Sequence, residues 1–344
     1  MQRMRRAKFC GLVAIGFALS LGRASAQDKT IELKLSNWLP PTHPLQKAIQ
    51  DWADDVQKQS NGTITYKIYP AQQLGKAFDH YDMARDGIAD FVYVNPGYQP
   101  GRFPIMAAGE LPFLVGQAKG GNRAIDAWYR KYAAAEMKDV HYCFSFVLDP
   151  VGWHSISKKI VVPTDIRGMK IRPAQGTIAA WVTLLGGTNV QSSAPEVRDI
   201  LAKGVADAVT FPWGSTVLFG IDKVTKYDMD APLGSVMFQW LMSPATYDAM
   251  SGPQKKVIDD HCTTEWAGRF ADPWADFEHA GLEKIQAEPD HEVYKITDEH
   301  LAAWKKSAEP LKQRWAADVK RAGGGSDAIW SELQASLTQY KAGF

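Results

Sequence analysis

The chain reads "RDGIADFVYVNP" at residues 85–96 and "KGVADAVTFPWG" at residues 203–214. Gly87 matches Gly204, Ala89 matches Ala206, Asp90 matches Asp207 and Val92 matches Val209. In each copy a helix-compatible segment stops at a glycine, which takes up left-handed backbone at little cost. An apolar run rich in strand formers follows. The aspartate of each copy is expected to cap the turn by accepting from backbone N–H groups. One helix–turn–strand phrase written twice, more than a hundred residues apart, points to two lobes of similar build.

The flanking sequence supplies matching elements. "TIELKLSNW" alternates as a half-buried strand, and Leu45, Ile49, Trp52 and Val56 carry helical spacing after Pro40, Pro41 and Pro44. "TITYKIYP" reads as a strand, "FDHYDMARDG" as a helix ending at Gly87, and "ADFVYVN" as the next strand. The second half repeats this sense. "MKIRPA" and "TNVQSS" are strands around the helix "GTIAAWVTLLGG", and "APEVRDILAKG" is a helix ahead of the strand "ADAVTFP". Strands alternating with helices make an α/β fold with mixed, mainly parallel sheets. Ligands of open α/β sheets bind beyond the carboxyl ends of the strands. Those ends are Asn95-Pro96-Gly97-Tyr98 and Thr210-Phe211-Pro212-Trp213. From about residue 250 the chain is strongly helical, with a helix start at Ser251 and Pro253. Pro273 and Pro310 are expected to bend these helices. Trp266, Trp274, Trp304, Trp315 and Trp330 read as core or lobe-bridging residues rather than as a binding site.

A length of 344 residues suits about two domains, and 45 % hydrophobic with 22 % charged residues is the composition of a globular protein. Residues 1–26 read as a cleavable signal peptide. Arg3, Arg5, Arg6 and Lys8 precede an apolar run from Phe9 to Leu21, and Ala24-Ser25-Ala26 stands before Gln27. That run is too short to span a bilayer, and Cys10 lacks the small-residue context of a lipid anchor. The expected location is periplasmic. The leader holds five basic residues and no acid, so 34 basic residues remain against 38 acidic, a net charge of −4. Such a balance argues against nucleic acid as a partner. Cys143 and Cys262 remain after cleavage, and two separate buried thiols are expected rather than a disulfide.

Between residues 163 and 212 the chain resembles the extracytoplasmic solute-binding proteins of TRAP transporters, the DctP type. The carrying residues are Asp165, Gly168, Lys170-Ile171-Arg172, Gly186-Gly187, Glu196-Val197, Leu201, Gly204, Asp207 and Pro212. "YPAQQLGK" at 69–76 and "GIADF" at 87–91 extend the resemblance into the first half. It implies a clamshell of two lobes with a helical C-terminal region bridging them. The expected division is 27–150 plus 238–277 for lobe I and 151–237 plus 278–344 for lobe II, with hinges near 149–152 and 236–239. It also implies small and large membrane subunits as partners, and Arg172 as the clamp on a ligand carboxylate. A guanidinium fits a carboxylate with two parallel hydrogen bonds, and a shielded pair of this kind contributes roughly 2–3 kcal/mol.

Departures from the family's pattern narrow the ligand. Gly152-Trp153-His154 stands where a second arginine is common, and Phe211 where an asparagine is common. Asn95 occupies a position where some members carry glutamate. Thr210-Phe211 cannot supply the carboxylate of the members that hold calcium, so no metal and no cofactor is expected. Trp38, Tyr93, Tyr98, Trp153, Phe211, Trp213 and Trp240 fall at or near strand ends and are expected at the mouth of the cleft, about half of them as packing only. One cation among rings favours a monocarboxylate with an aromatic body, such as a hydroxycinnamate or an arylglyoxylate. His154 or Asn37 is expected to meet its phenolic or keto oxygen. A short aliphatic 2-oxo or hydroxy acid, or a dicarboxylate, is the alternative. An exported enzyme is disfavoured, since neither an HExxH helix nor a GxSxG elbow occurs. A binding protein of the ABC or tripartite tricarboxylate class would share two lobes but not the phrases above.

Overall fold

The computed structural model describes residues 29–344. The leader read at 1–26 lies outside the described residues. The first half runs β1 (Ile31–Ser36), α1 (Pro44–Gln59), β2 (Ile64–Tyr69), α2 (His80–Arg85), β3 (Phe91–Val94), α3 (Ala118–Glu136) and β4 (His141–Val147). The chain continues through β5 (Gly152–Ser155), β6 (Lys170–Arg172), α4 (Gly176–Leu184), β7 (Thr188–Asn189), α5 (Val197–Ala202), β8 (Ala208–Phe211), α6 (Trp213–Leu218), β9 (Tyr227–Met229) and β10 (Met237–Met242). Next come α7 (Pro244–Ala249), α8 (Gly252–His261), α9 (Thr264–Ala287), β11 (Glu292–Tyr294), α10 (Asp298–Arg321) and α11 (Ser326–Gln339).

Two mixed sheets result, ordered β2-β1-β3-β10-β4 and β11-β9-β5-β8-β6-β7. β1 pairs in parallel with both β2 and β3, while β10 returns antiparallel between β3 and β4. In the second sheet β6 is parallel to β7 and β8, and β5 is antiparallel to β8 and β9. Each sheet therefore reuses the parallel strand–helix–strand unit predicted from the repeated phrase.

The repeated turns fold alike in detail. Gly87 and Gly204 have φ of 69° and 68°, the left-handed conformation glycine adopts most readily. Asp90 Oδ2 accepts from the Lys34 backbone N–H at 2.7 Å, and Asp207 Oδ2 from that of Lys170 at 2.8 Å. The aspartates thus fasten the start of each strand to its parallel neighbour instead of capping their own turn.

Strands β4 and β10 leave the first sheet side by side. Leu148 N–H donates to Val236 O and Val151 N–H to Gly234 O, both at 3.0 Å, so the two crossings stay bonded to each other. α9 is the third connection, packed on α1, α3 and β4 on one side and on α6 on the other. Its approach to α6 needs two glycines, since a Cβ on Gly281 would lie 2.1 Å from Gly214 Cα. Both α9 and α10 run through Pro273 and Pro310 without interruption. The helical tail is shared between the lobes. The Trp304 indole N–H in α10 donates to Val161 O beside the second sheet, whereas α11 packs on α3 of the first, where Trp128 donates to Ile329 O.

Cys143 on β4 and Cys262 at the end of α8 form a disulfide with Cα atoms 4.3 Å apart, contrary to the expectation of separate thiols. A spacing of 119 residues hides the proximity that docking α8 against the first sheet creates. Removing a cross-link that closes so long a loop releases the unfolded chain, so the Cys143→Ala/Cys262→Ala protein is predicted to lose about 2–4 kcal/mol in a denaturant titration.

Glu278 of α9 is buried where α9 meets α6, accepting from the Ser215 hydroxyl, from Ser215 N–H at 2.9 Å and from Trp274 Nε1–H at 2.5 Å. Burial outweighs these donors and raises its pKa from 4.5 to about 7. The folded state then holds this proton more tightly than the unfolded one. The associated stability is complete below pH 4.5 and is lost as pH rises through about 7. Glu278→Gln should therefore flatten the decline of melting temperature between pH 5 and pH 8; an unchanged slope would contradict this origin.

Candidate functional site

The carboxyl ends of β1, β3, β6 and β8 converge on a cavity with about 350 Å³ of space, part of it continuous with solvent. Arg172, the last residue of β6, forms its charged wall and is 1 % exposed. Its position is set by neutral acceptors. Nε and Nη2 donate to Ser192 O at 3.0 and 2.9 Å, and Nη2 also donates to the Tyr98 hydroxyl at 3.1 Å. Among the described residues no hydrogen bond leaves Nη1. The acid whose field reaches the guanidinium, Glu196, is engaged by Ser193 N–H and hydroxyl instead. Burial pulls the Arg172 pKa below the ordinary guanidinium value, as expected of a cation held out of water without an anion.

Tyr98 crosses from the first lobe to meet this cation. Its hydroxyl oxygen accepts from both Arg172 and Ala194 N–H, which leaves its own O–H free to donate. Asn95 caps the turn at 96–98 through Gly97 N–H at 2.9 Å and donates across the lobes to Ala174 O at 3.2 Å. Gly97 permits that closeness, because a Cβ there would meet Gln175 Cβ at 2.7 Å. Rings form much of the apolar wall, beside Leu39, Pro212 and Val236. Trp38 lies 5.9 Å from Tyr98 and 6.5 Å from Phe238, Phe238 lies 5.1 Å from Trp274, and Phe211 faces the guanidinium at 5.6 Å.

Five of the residues expected at the ligand line this cavity: Arg172, Asn95, Phe211, Trp38 and Tyr98. The others are placed elsewhere. Trp153 is fully buried against Trp181 and Trp304, in the packing between the second sheet and α10. His154, its neighbour on β5, points to the opposite face, as strand alternation requires. Both its ring nitrogens are taken, Nδ1 by Asp228 at 2.7 Å and Nε2 by Phe211 O at 3.1 Å. Trp213 stands edge-on over that imidazole at 4.9 Å. Trp240 stacks on Phe91 at 5.4 Å in the first core, and Tyr93 on Phe238 at 5.1 Å behind the cavity wall. Asn37 spends its side-chain oxygen on Leu39 N–H and Gln46, shaping the turn after β1.

Among the lining residues that the sequence did not place at the ligand are His43, Phe238 and Trp274, the last expected only as a core or lobe-bridging residue. Phe238 and Trp274 carried the apolar periodicity of core elements, so nothing local marked them. His43 had one signal, its place just before Pro44 at a helix start. A roomier cleft, lined in part by Phe103, Thr177, Arg314 and Trp315, lies on the far side of the Gly97–Gln175 contact. Arg314 is exposed there, and the buried acid Glu110 has its pKa raised to about 8 by burial. That cleft lacks a desolvated cation, and the smaller cavity is the candidate site.

Comparison with known proteins agrees with this architecture. A TRAP solute-binding protein of Rhodoferax ferrireducens, in complex with copurified benzoate, has a TM-score of 0.85 at 26 % identity, covering 91 % of this chain and 99 % of that one. A marine metagenome TRAP solute-binding protein specific for aromatic acid ligands, in complex with 3-hydroxybenzoate, has a TM-score of 0.84 at 30 % identity, covering 91 % and 99 %. A TRAP periplasmic solute-binding protein of Bordetella bronchiseptica with bound (R)- and (S)-mandelate has a TM-score of 0.84 at 26 % identity, covering 90 % and 99 %. Residues 35–318 match the model of the family DctP, bacterial extracellular solute-binding protein family 7. The chain belongs to that family, the solute-binding components of TRAP transporters.

Proposed function

We propose that this protein captures a small monocarboxylate with an aromatic body and hands it to the membrane subunits of a TRAP transporter. The observation that carries the reading is Arg172, a buried guanidinium without an anionic partner among the described residues, in a cavity lined largely by rings and aliphatic side chains. An incoming carboxylate would take the free Nη1–H groups and the Tyr98 O–H, which relieves the cost of an unpaired buried charge. The aryl body would lie among Trp38, Phe211, Phe238 and Trp274. A dicarboxylate fits less well, because Arg172 is the one cation lining the cavity among the described residues and a second carboxylate would meet neutral donors. Benzoate, 3-hydroxybenzoate and mandelate in similar proteins support an aromatic acid.

Capture would proceed by closure. Arg172 and Phe211 belong to the second lobe, and Trp38, Asn95 and Tyr98 to the first, so a ligand touching both stabilises their approach. The bonded crossings at 148–151 and 234–236 are the proposed hinges. The leader at 1–26 would direct the protein to the periplasm, where the transporter's membrane subunits are reached. Catalysis has no part in this reading.

Arg172→Ala is predicted to weaken benzoate or p-coumarate binding by roughly 100-fold or more in a tryptophan-fluorescence titration, with an unchanged circular dichroism spectrum. Retained tight binding would remove Arg172 from the site. Gly97→Val, which adds bulk between the lobes without touching the cation, should weaken the same acids at least tenfold and enlarge the radius of gyration measured with ligand by X-ray scattering. Wild-type affinity in that variant would contradict closure at this contact.

A further inference from the structure

We propose that His43 forms a second polar subsite, a neutral hydrogen-bond donor that reads a hydroxyl or oxo oxygen on the ligand's aromatic body. The inference rests on the aryl-carboxylate reading above and assigns the specificity within that class.

The tautomer follows from the helix it caps. His43 Nδ1 accepts from Leu45 N–H at 3.1 Å at the start of α1, so in the neutral ring the hydrogen sits on Nε2. Burial lowers the pKa of this imidazole to about 3, which keeps it neutral at any physiological pH. The ring is 2 % exposed and clamped edge-on against Trp274 at 5.0 Å. Its Nε2 is buried with no hydrogen-bond partner among the described residues, in a residue that lines the cavity. A buried donor left unpaired is costly, and of the unpartnered buried side-chain atoms among the described residues, those of His43 and Trp38 belong to residues that line this cavity.

Trp38 presents a second such donor. Its Nε1 is likewise buried and unpartnered, and it lines the same cavity from the same loop after β1. Each of these neutral N–H groups suits a lone pair of a hydroxyl or carbonyl oxygen. A second carboxylate would instead call for a cation. The carboxylate end already has Arg172 Nη1 and the Tyr98 O–H, so the loop donors remain for an oxygen elsewhere on the ligand. Sites built to bond a substrate oxygen reject the analogue lacking it, because their own donors are then stranded. His43 thus takes the role that sequence reading offered to His154 and Asn37.

The test compares matched acids by calorimetric titration of the full protein: benzoate with 3-hydroxybenzoate, and phenylacetate with 3-hydroxyphenylacetate. The wild type should prefer the oxygen-bearing member of at least one pair by about tenfold, or about 1.4 kcal/mol. His43→Asn keeps a capping acceptor for Leu45 but withdraws the distal donor, and the ratio should fall to near one. His43→Gln returns a donor close to the Nε2 position and should restore most of the preference. A ratio unchanged in His43→Asn overturns the proposal. Equal weakening of both members of each pair also overturns it, since the imidazole would then serve the carboxylate. A wild type that binds these acids without preference overturns it while leaving the proposed function standing. A wild type that binds none of the four acids overturns the proposed function and this subsite together.

Discussion

A guanidinium buried away from water, with no carboxylate to answer it among the described residues, is the constraint on which the candidate site depends. Arg172 is tolerated because Ser192 O and the Tyr98 hydroxyl solvate part of it, while Phe211 faces the rest. Those partners come from two lobes. Tyr98 lies beyond β3 of the first sheet, and Arg172 ends β6 of the second. The charged wall is therefore complete only where the lobes meet, and the contact between Gly97 and Gln175 that brings them together belongs to the candidate site as much as to the fold.

The remainder of the cavity follows from keeping that cation dry. Rings from β1's following loop, from β8, from β10 and from α9 exclude water, so an anion that reaches Arg172 interacts at low dielectric. Two of these rings are held by a second layer. Tyr93 stacks behind Phe238, and Glu278 anchors Trp274 through its indole N–H while holding Ser215 of α6. α9 in this way ties the first lobe, the cavity wall and the second lobe into one arrangement.

Much of this was legible in the sequence. The repeated Gly-x-Ala-Asp phrase marked two equivalent turns, and both glycines are left-handed in the structure. The same phrase located the strand ends from which Asn95, Tyr98 and Phe211 enter the cavity. Facing was the part that could not be read. On β5 a shift of one residue separates Trp153, packed under α10, from His154, bonded to Asp228, and neither side chain lines the candidate cavity. Trp240 and Trp274 share apolar surroundings in sequence, yet one is core and the other lines the site, because only tertiary packing decides which face of β10 or α9 meets the cleft. Cys143 and Cys262 were misread as separate thiols for the same reason, being neighbours only after α8 docks on the first sheet. His43 looked like a helix start, and its second nitrogen gained meaning only once the cavity was in view.

The most direct measurement is a pair of calorimetric titrations with benzoate and with benzamide, which share a shape and differ in charge. If the unpaired cation is the organising feature, benzoate will saturate one site and benzamide will bind at least about 100-fold more weakly, a difference of about 2.7 kcal/mol. Comparable affinity for the two would mean that the rings alone hold the ligand, and would contradict the role assigned to Arg172.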